Sequence, residues 1–416
     1  MLVGSRRVSQ SKHILILVEN LSVPLDRRVW QESLALTEAG HQVVVICPRG
    51  RERDTEPHVV LDGVEIRRYP LDAATGGPFG YIAEYSAALS HTARIAFRLD
   101  RRAPFDVVHI CNPPDLLFLC GLPLKARGAR IVFDQHDLGP ELFRSRFGER
   151  HRALYAAVRL LERATYRTAD AVIATNESYR RIALSRGKVP AERVTVVRSA
   201  PDRSRFPPTP PERDLLRGKR HLVCYLGVMG PQDGVDCALR ALAHLRHGLG
   251  RDDVRAVFIG SGDVYPEMVN LSRMLGLEAM VEFTGRISDT DVRRHLATAD
   301  VCLAPDPMNP LNDISTMNKI VEYMAMGRPI VSFDLAEARV SAGEAALYAT
   351  PNDEKEFAEL VAALLEDPGR RAYMGEVGRA RVEGELSWDH SKQQLIAAYE
   401  RLLARPGRRR RHSGGP

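Results

Sequence analysis

The chain has 416 residues, 44% of them hydrophobic, which is more than one hydrophobic core usually serves, so two domains are expected. Its formal charge of +6 is unevenly placed: Arg405 and Arg408 to Arg411 carry five of those charges, and no acid lies in 405 to 416. The remainder is near neutral, which speaks against a nucleic-acid-binding protein with a basic stripe on its folded surface.

Six cysteines, Cys47, Cys111, Cys120, Cys224, Cys237 and Cys302, are scattered through apolar segments without paired metal-ligand spacing. They read as small buried hydrophobes in a reducing compartment. The first twelve residues hold no apolar core of signal-peptide length, and no run reaches the roughly 18 apolar residues of a spanning helix. The expectation is a cytoplasmic protein, with peripheral contact to the inner face of a membrane left open.

Short apolar runs bounded by Gly, Pro or Asp alternate with helical stretches, the pattern of parallel sheets covered by helices. In the first half, strands are expected at His13 to Val18, Val43 to Cys47, Val107 to Ile110, Arg130 to Phe133, Ala171 to Ala174 and Val194 to Val197. After the first of these, Asp26-Arg-Arg-Val-Trp-Gln-Glu32 opens a helix. Asp26 is its natural N-cap, and Arg28 either reaches a phosphate or acceptor or is solvated. Asn112-Pro-Pro-Asp115 follows the third strand and lines a ligand site or forms a plain proline turn. His136 stands just past the fourth strand between Asp134 and Asp137. It is either a structural histidine, as a lone one usually is, or one whose side chain faces a ligand, as the carboxyl end of a strand in such a sheet allows.

Pro201 to Arg220 is rich in proline and charge without apolar periodicity and reads as a linker. Domains are therefore expected at 1–200 and 221–386, with a C-terminal helix at 387–404 and a disordered basic tail at 405–416. In the second half, strands are expected at His221 to Leu226, Val254 to Ile259, Val281 to Phe283, Val301 to Leu303, Ile330 to Phe333 and Ala346 to Tyr348. Gly227-Val-Met-Gly230 and Gly260-Ser-Gly262 each follow a strand. Either glycine pair serves a tight turn or lets a ligand approach the backbone. Asp289-Thr-Asp291 has the spacing of a metal-binding carboxylate pair, but Ser288 three residues before Asp291 makes a capping box, and a helix start is the stronger reading. No metal site is expected.

Residues 305 to 335 are the most informative. A Pro/Asn/Asp loop leads to a helix expected to open at Ser315 or Thr316 and to stop at Gly327, and Pro329 precedes the next strand. A helix start leaves backbone N–H groups without partners and favours an anion. Asn318, Lys319 and Glu322 are expected off the apolar face formed by Met317, Ile320, Val321 and Met324.

Taken together, Ala39-Gly-His41, Phe105-Asp-Val-Val-His109, His136, Ala169-Asp-Ala-Val-Ile-Ala174, Phe283-Thr-Gly-Arg286 and Asn318-Lys-Ile-Val-Glu-Tyr-Met-Ala-Met-Gly-Arg-Pro329 make the chain resemble family 4 of the nucleotide-sugar-dependent glycosyltransferases. The resemblance spans about residues 13 to 404. It implies an α/β protein of GT-B architecture, two Rossmann-like doubly wound domains facing across a cleft. The implied activity is metal-independent transfer of a hexose or N-acetylhexosamine with retention, from a nucleoside-diphosphate sugar to a hydroxyl acceptor, in some relatives lipid-linked.

The resemblance further implies that Glu322 binds the donor ribose, the backbone near Arg286 the base, and the helix start at Ser315 and Thr316, with Asn318, the diphosphate. Gly227, Gly230 and Gly262 line the donor site, while His136 contacts the donor sugar and Asn112, Asp137 and Arg28 serve the acceptor side. Two departures stand out. Where relatives commonly have a glutamate eight positions before Glu322, this chain has Ile314, with Asp313 the nearest substitute. Where relatives grip the phosphates with Arg and Lys, it has Gly227-Val-Met-Gly-Pro-Gln-Asp-Gly234, and Lys319 is the candidate replacement. A nucleotide-sugar 2-epimerase and a non-catalytic sugar-nucleotide binder are the alternatives. No cofactor is implied, and the Arg-rich tail is a candidate contact for anionic lipid.

Overall fold

The computed structural model describes residues 11–50, 54–71, 77–148, 151–201 and 206–405. They fall into two compact units. The first joins Met1–Phe143, Glu149–Val197 and Ser391–Pro416, and the second joins Arg144–Gly148 and Arg198–His390.

The sheet of the first unit contains β1 (His13–Leu17), β2 (Gln42–Pro48), β3 (His58–Leu61), β4 (Val64–Tyr69), β5 (Val107–Cys111), β6 (Arg130–Gln135), β7 (Ala171–Ala174) and β8 (Val194–Val196). Their spatial order is β3-β4-β2-β1-β5-β6-β7-β8. β3 runs antiparallel to β4, and the other pairings are parallel. No strand is expected between Cys47 and Val107 from the sequence, yet β3 and β4 form a hairpin there. Its signal is Asp62-Gly63 between alternating apolar residues. Both turn residues have positive φ, 46° and 83°, as two-residue hairpin turns require.

β1 and β5 are buried almost throughout, because helices cover both faces of the sheet and each side chain must be apolar or paired. The strand order reverses between β1 and β5. Loops beyond the carboxyl ends at such a reversal are where doubly wound sheets bind ligands, and His136 follows the neighbouring β6.

The second sheet contains β9 (His221–Leu226), β10 (Val254–Ile259), β11 (Val281–Gly285), β12 (Val301–Ala304), β13 (Ile330–Phe333) and β14 (Ala346–Ala349). All are parallel, in the order β11-β10-β9-β12-β13-β14. The reversal here lies between β9 and β12. The loops Gly227–Gly234 and Pro305–Met317 therefore flank the switch point.

The C-terminal helix, Trp388–Ala404, is not an appendage to the second sheet: from Ser391 onward it belongs to the first unit. Leu395, Ala398, Tyr399 and Leu402 are buried, an apolar stripe at helical spacing that needs a surface to cover it. Arg405, expected in a disordered tail, is held by the first unit: its guanidinium donates to the carbonyls of Asp170 (3.2 Å) and Glu192 (3.3 Å). Arg408 to Arg411 lie outside the described residues. Within the expected linker, Phe206 is buried in the second core and a 3-10 turn covers Arg213–Leu216. All six cysteines are buried and free. No described helix is long and apolar enough to cross a membrane.

Candidate functional site

At the second switch point the glycines serve close backbone packing between loops. Gly260 has φ +134°, and a Cβ there would lie 1.9 Å from the Gly227 carbonyl oxygen. Gly227 N–H donates to Ile259 (3.0 Å) and Met229 N–H to Ser261 (3.2 Å). Gly262 is also pressed against the Met229 backbone, where a Cβ would lie 2.5 Å from the Met229 carbonyl oxygen. Gly230 N–H donates to Asp233 Oδ2 at 2.8 Å, so an acidic side chain holds an amide of the loop that was expected to line a phosphate. Burial pushes the Asp233 carboxyl up to about 6, with Lys319 opposing. Arg286, at the end of β11, is exposed and donates to Ser261 Oγ at 3.1 Å.

The helix expected to open at Ser315 or Thr316 begins at Asn318 instead. A 3-10 turn occupies Asn312–Ile314, and Ser315 Oγ donates back to Leu311 O at 2.7 Å, so the chain stays extended through Met317, the N-cap. Met317 has no side-chain oxygen and makes no side-chain cap hydrogen bond. Asn318 is exposed and Glu322, one turn on, is half-buried. Thr316 Oγ1 donates to Glu337 Oε1 (3.3 Å), which Arg198 also meets at 2.9 Å. Asp313 Oδ1 accepts from Ala336 N–H at 2.8 Å, so one oxygen of the expected glutamate substitute is engaged by the following helix.

Lys319 departs most from expectation. It is 7% exposed rather than on the ligand face. Its Nζ lies 2.6 Å from Asp306 Oδ1 and 5.0 Å from the centre of the Tyr225 ring. Burial works against its charge, but Asp306 outweighs burial and the ammonium is held more firmly than usual. Two residues had no sequence signal as site members. Asp306 is buried, with Oδ2 unpartnered. Asn312 is buried and donates to the carbonyls of Gln232 (2.8 Å) and Pro307 (2.9 Å), joining the two switch-point loops. Only their separation in sequence hid them.

In the first unit, Asp26 caps the helix Arg27–Glu38 as expected, accepting from Val29 N–H at 3.1 Å. Arg28 is neither solvated nor turned to a ligand. It is buried, with Nε and Nη2 donating to the two oxygens of Asp134 (3.1 and 2.8 Å) and Nη1 to Val197 O (2.8 Å). His136 Nε2 lies 2.5 Å from Asp134 Oδ2. Asn112 is buried and Oδ1 accepts from the amides of His136 (2.8 Å) and Asp137 (3.2 Å), while its Nδ2 donates to Asp137 O (2.8 Å) and to Asp115 Oδ1 (3.0 Å). Asn112 thus shapes the His136 loop from beneath. Asp137 is half-buried in that loop. Glu19, beyond β1, is a residue the sequence did not flag. Its Oε1 is buried without a partner, and burial, with the charge of Glu84, pushes the carboxyl up to about 8.

His109, Cys111 and Asp134 present donor atoms within 4.8 Å of one another, a cluster that appears only when β5 and β6, joined through the helix Phe118–Ala126, pair side by side. It does not suit a metal. Asp134 already accepts from Arg28 and His136, and burial raises the Cys111 thiol well above its ordinary value, so the ligand thiolate is disfavoured. The Asp289–Asp291 pair is a helix start: Ser288 Oγ accepts from Asp291 N–H at 3.1 Å. Elsewhere in the second unit a hollow of about 450 Å³ runs beside Arg339, Tyr348 and Tyr373. Its polar groups are largely paired within the protein, Arg339 with Asp334 and Tyr373 with Glu344.

Two doubly wound sheets, each with one reversal of strand order, define an α/β protein of the class that binds its ligands beyond the carboxyl ends of the strands. A family model described as "Glycosyl transferase 4-like domain" matches residues 25–200, and one described as "Glycosyl transferases group 1" matches residues 220–367. The chain belongs to the GT-B glycosyltransferases of the family 4 type, and its reaction is glycosyl transfer. It is 27% identical over 393 residues to the alpha-D-kanosaminyltransferase of Streptomyces kanamyceticus, covering 90% of this chain and 98% of that protein. The fold is similar to a sucrose-phosphate synthase from Thermosynechococcus elongatus (TM-score 0.78, 19% identity, 94% of this chain and 99% of the other). It is also similar to Anabaena HepE in complex with UDP and glucose (TM-score 0.69, 18% identity, 94% and 100%).

Proposed function

We propose that the chain transfers a hexose or N-acetylhexosamine-type sugar from a nucleoside-diphosphate sugar to a hydroxyl acceptor, with retention and without a metal ion. The observation that carries this reading is the helix Asn318–Ala325, which starts without a side-chain cap at the switch point of the second sheet. Ile320 N–H already donates to Met317 O at 3.1 Å, so it is the amides at the very start of the helix, with the dipole, that favour a diphosphate there. Glu322 lies one turn further, where a carboxylate meets the two ribose hydroxyls. Gly227, Gly230, Gly262, Asp313 and the Arg286 backbone line the same donor site.

As the sugar–phosphate bond breaks, charge grows on the departing diphosphate, and fixed amides stabilise it without reorganising. His136 contacts the reacting sugar and orients it for the incoming hydroxyl, with Asn112 and Asp137 shaping that loop. Retention follows if the acceptor enters on the face the diphosphate leaves and gives it its proton. Contact of the basic tail with anionic lipid, and a lipid-linked acceptor, belong to the same proposal. Removing residues 406–416 is expected to release the protein from vesicles rich in anionic lipid, and unchanged co-sedimentation would count against that part.

Glu322→Ala should abolish the thermal shift produced by the correct donor among UDP-, GDP- and dTDP-sugars, because stabilisation by a ligand scales with the logarithm of its excess over Kd. Wild-type transfer should continue in excess EDTA and give a product of unchanged anomeric configuration by NMR. A full thermal shift in the variant, or loss of transfer in EDTA, would refute the corresponding part.

A further inference from the structure

Behind His136 lies a buried polar path that the transfer reading does not use. Asp134 Oδ2, 2.5 Å from His136 Nε2, is also 3.5 Å from His109 Nε2. Glu32 Oε2 lies 3.5 Å from the same His109 nitrogen, and Arg28 Nη2 stands 3.0 Å from Glu32 Oε1. On its other side, His109 Nδ1 meets the hydroxyl of Tyr399 at 2.7 Å. Tyr399 comes from the C-terminal helix and is 1% exposed. The side chains of Glu32, His109 and Asp134 have no exposure, whereas that of His136 has 13%. His136 is thus the end of the path that reaches the surface.

We propose that Asp134 is a positioning residue that fixes the His136 ring through Nε2 and favours its charged form, and that Tyr399, through His109, makes the C-terminal helix part of the same device. This rests on the reading of His136 as the contact to the reacting sugar.

The chemistry is specific. With Nε2 committed to Asp134, the other ring nitrogen is the one left for substrate. It donates a hydrogen bond when the ring is charged and accepts one when the ring is neutral. The charge on His136 therefore decides whether its free edge suits a sugar oxygen as acceptor or a hydroxyl as donor. Burial disfavours the charged ring, but the charge and hydrogen bond of Asp134 outweigh it and the pKa is raised.

The surrounding groups act in concert. Asp26 and Arg28 face His136 from the first helix and its cap; Asp26 supports the charged ring and Arg28 opposes it. Asp134 is held ionised, because Arg28 and His136 outweigh its burial. Glu32 is pushed the other way by burial, against Arg28, so a proton on this pair of carboxyls favours Glu32 over Asp134. Burial also keeps His109 neutral and Tyr399 and Cys111 protonated. A phenol that keeps its proton donates to His109 Nδ1, which places the ring proton on Nε2, aimed between the two carboxylates. Tyr399 thereby fixes the tautomer that faces Asp134.

The test is an NMR titration of ring-labelled histidines in the full chain, with His109 and His136 assigned by single replacements, for wild type, Asp134→Asn and Tyr399→Phe. His136 of the wild type should titrate above an ordinary histidine. In Asp134→Asn its pKa should fall by about one unit or more. The alkaline loss of kcat should move to lower pH with it, because activity that needs the imidazolium persists below its pKa and disappears as pH rises through it. The donor KM should change little, while kcat at neutral pH drops on the order of ten- to a hundredfold.

Tyr399→Phe, which removes one oxygen, should return His109 to a mixture of tautomers and lower the His136 pKa by a smaller amount. An ordinary His136 titration in the wild type, or one unmoved in Asp134→Asn, overturns the proposal. Should Asp134→Asn fail to fold, the wild-type titration and Tyr399→Phe decide it, and unchanged histidine signals in Tyr399→Phe overturn it. If the titrations shift as expected while His136→Ala transfers sugar normally, the buried path stands and the reading of His136 as a sugar contact fails. The opposite pattern separates them the other way.

Discussion

Replacing His136 by alanine should reduce kcat for sugar transfer on the order of a hundredfold or more, while circular dichroism and the donor-induced thermal shift remain near wild type. The fold survives because the loop is held by backbone contacts: Asn112 Oδ1 accepts from the His136 amide, not from its ring. Asp134 also keeps both hydrogen bonds from Arg28, so no buried charge is left uncompensated. Transfer within a few-fold of wild type, measured by release of nucleoside diphosphate and by product formation, would remove His136 from the reaction. The same ring deleted with Arg28 intact is thus a probe of chemistry. Deletion of Arg28 would instead strip Asp134 of its counter-charge and report mainly on folding.

Lys319→Met should be the most destabilising single change in the second unit's site, at about 3–5 kcal/mol, the range for breaking a buried ion pair from one side. Asp306 is 1% exposed, and one of its oxygens already has no partner. Removing the ammonium leaves a carboxylate in a dry setting with nothing to balance it. Adding Asp306→Asn to Lys319→Met should restore much of the denaturation midpoint, because the charge that needed a partner is gone. The pair of measurements divides two roles that the sequence could not separate. If Lys319 also stabilises the departing diphosphate, the double variant regains stability without regaining turnover. If it recovers both, Lys319 serves only to hold the Pro305–Met317 loop.

Much of the fold is written in local pattern. Each predicted strand of the second half occurs within two residues of its expected ends, because short apolar runs cut off by Gly, Pro or Asp leave few other options. The capping roles of Asp26 and Ser288 were legible for the same reason: an N-cap is settled within four residues. The hairpin of β3 and β4 was also signalled, by Asp62-Gly63, but its apolar residues are too evenly mixed with charge to stand out. The helix start at Asn318 was misplaced by two or three residues, since Ser315 and Thr316 look like caps in isolation. In the folded chain their hydroxyls donate to Leu311 and Glu337 instead, and a competing hydrogen bond, not propensity, moved the boundary.

Amino-acid order alone settled the alternation of strand and helix, the presence of two doubly wound sheets, the family, and the placing of His136 just past a strand end and of Glu322 about one turn into a helix. Those properties depend on neighbours a few positions apart. The partners of charged residues were decided only in three dimensions. Arg28 and Lys319 read as free cations in one dimension. Each is buried against an acid, Asp134 across 106 positions and Asp306 across 13. A charge withdrawn from water must find its opposite wherever the sheet brings one. Which acid that is depends on strand order, and so does the link from Tyr399 across 290 positions to His109. No local pattern encodes that order.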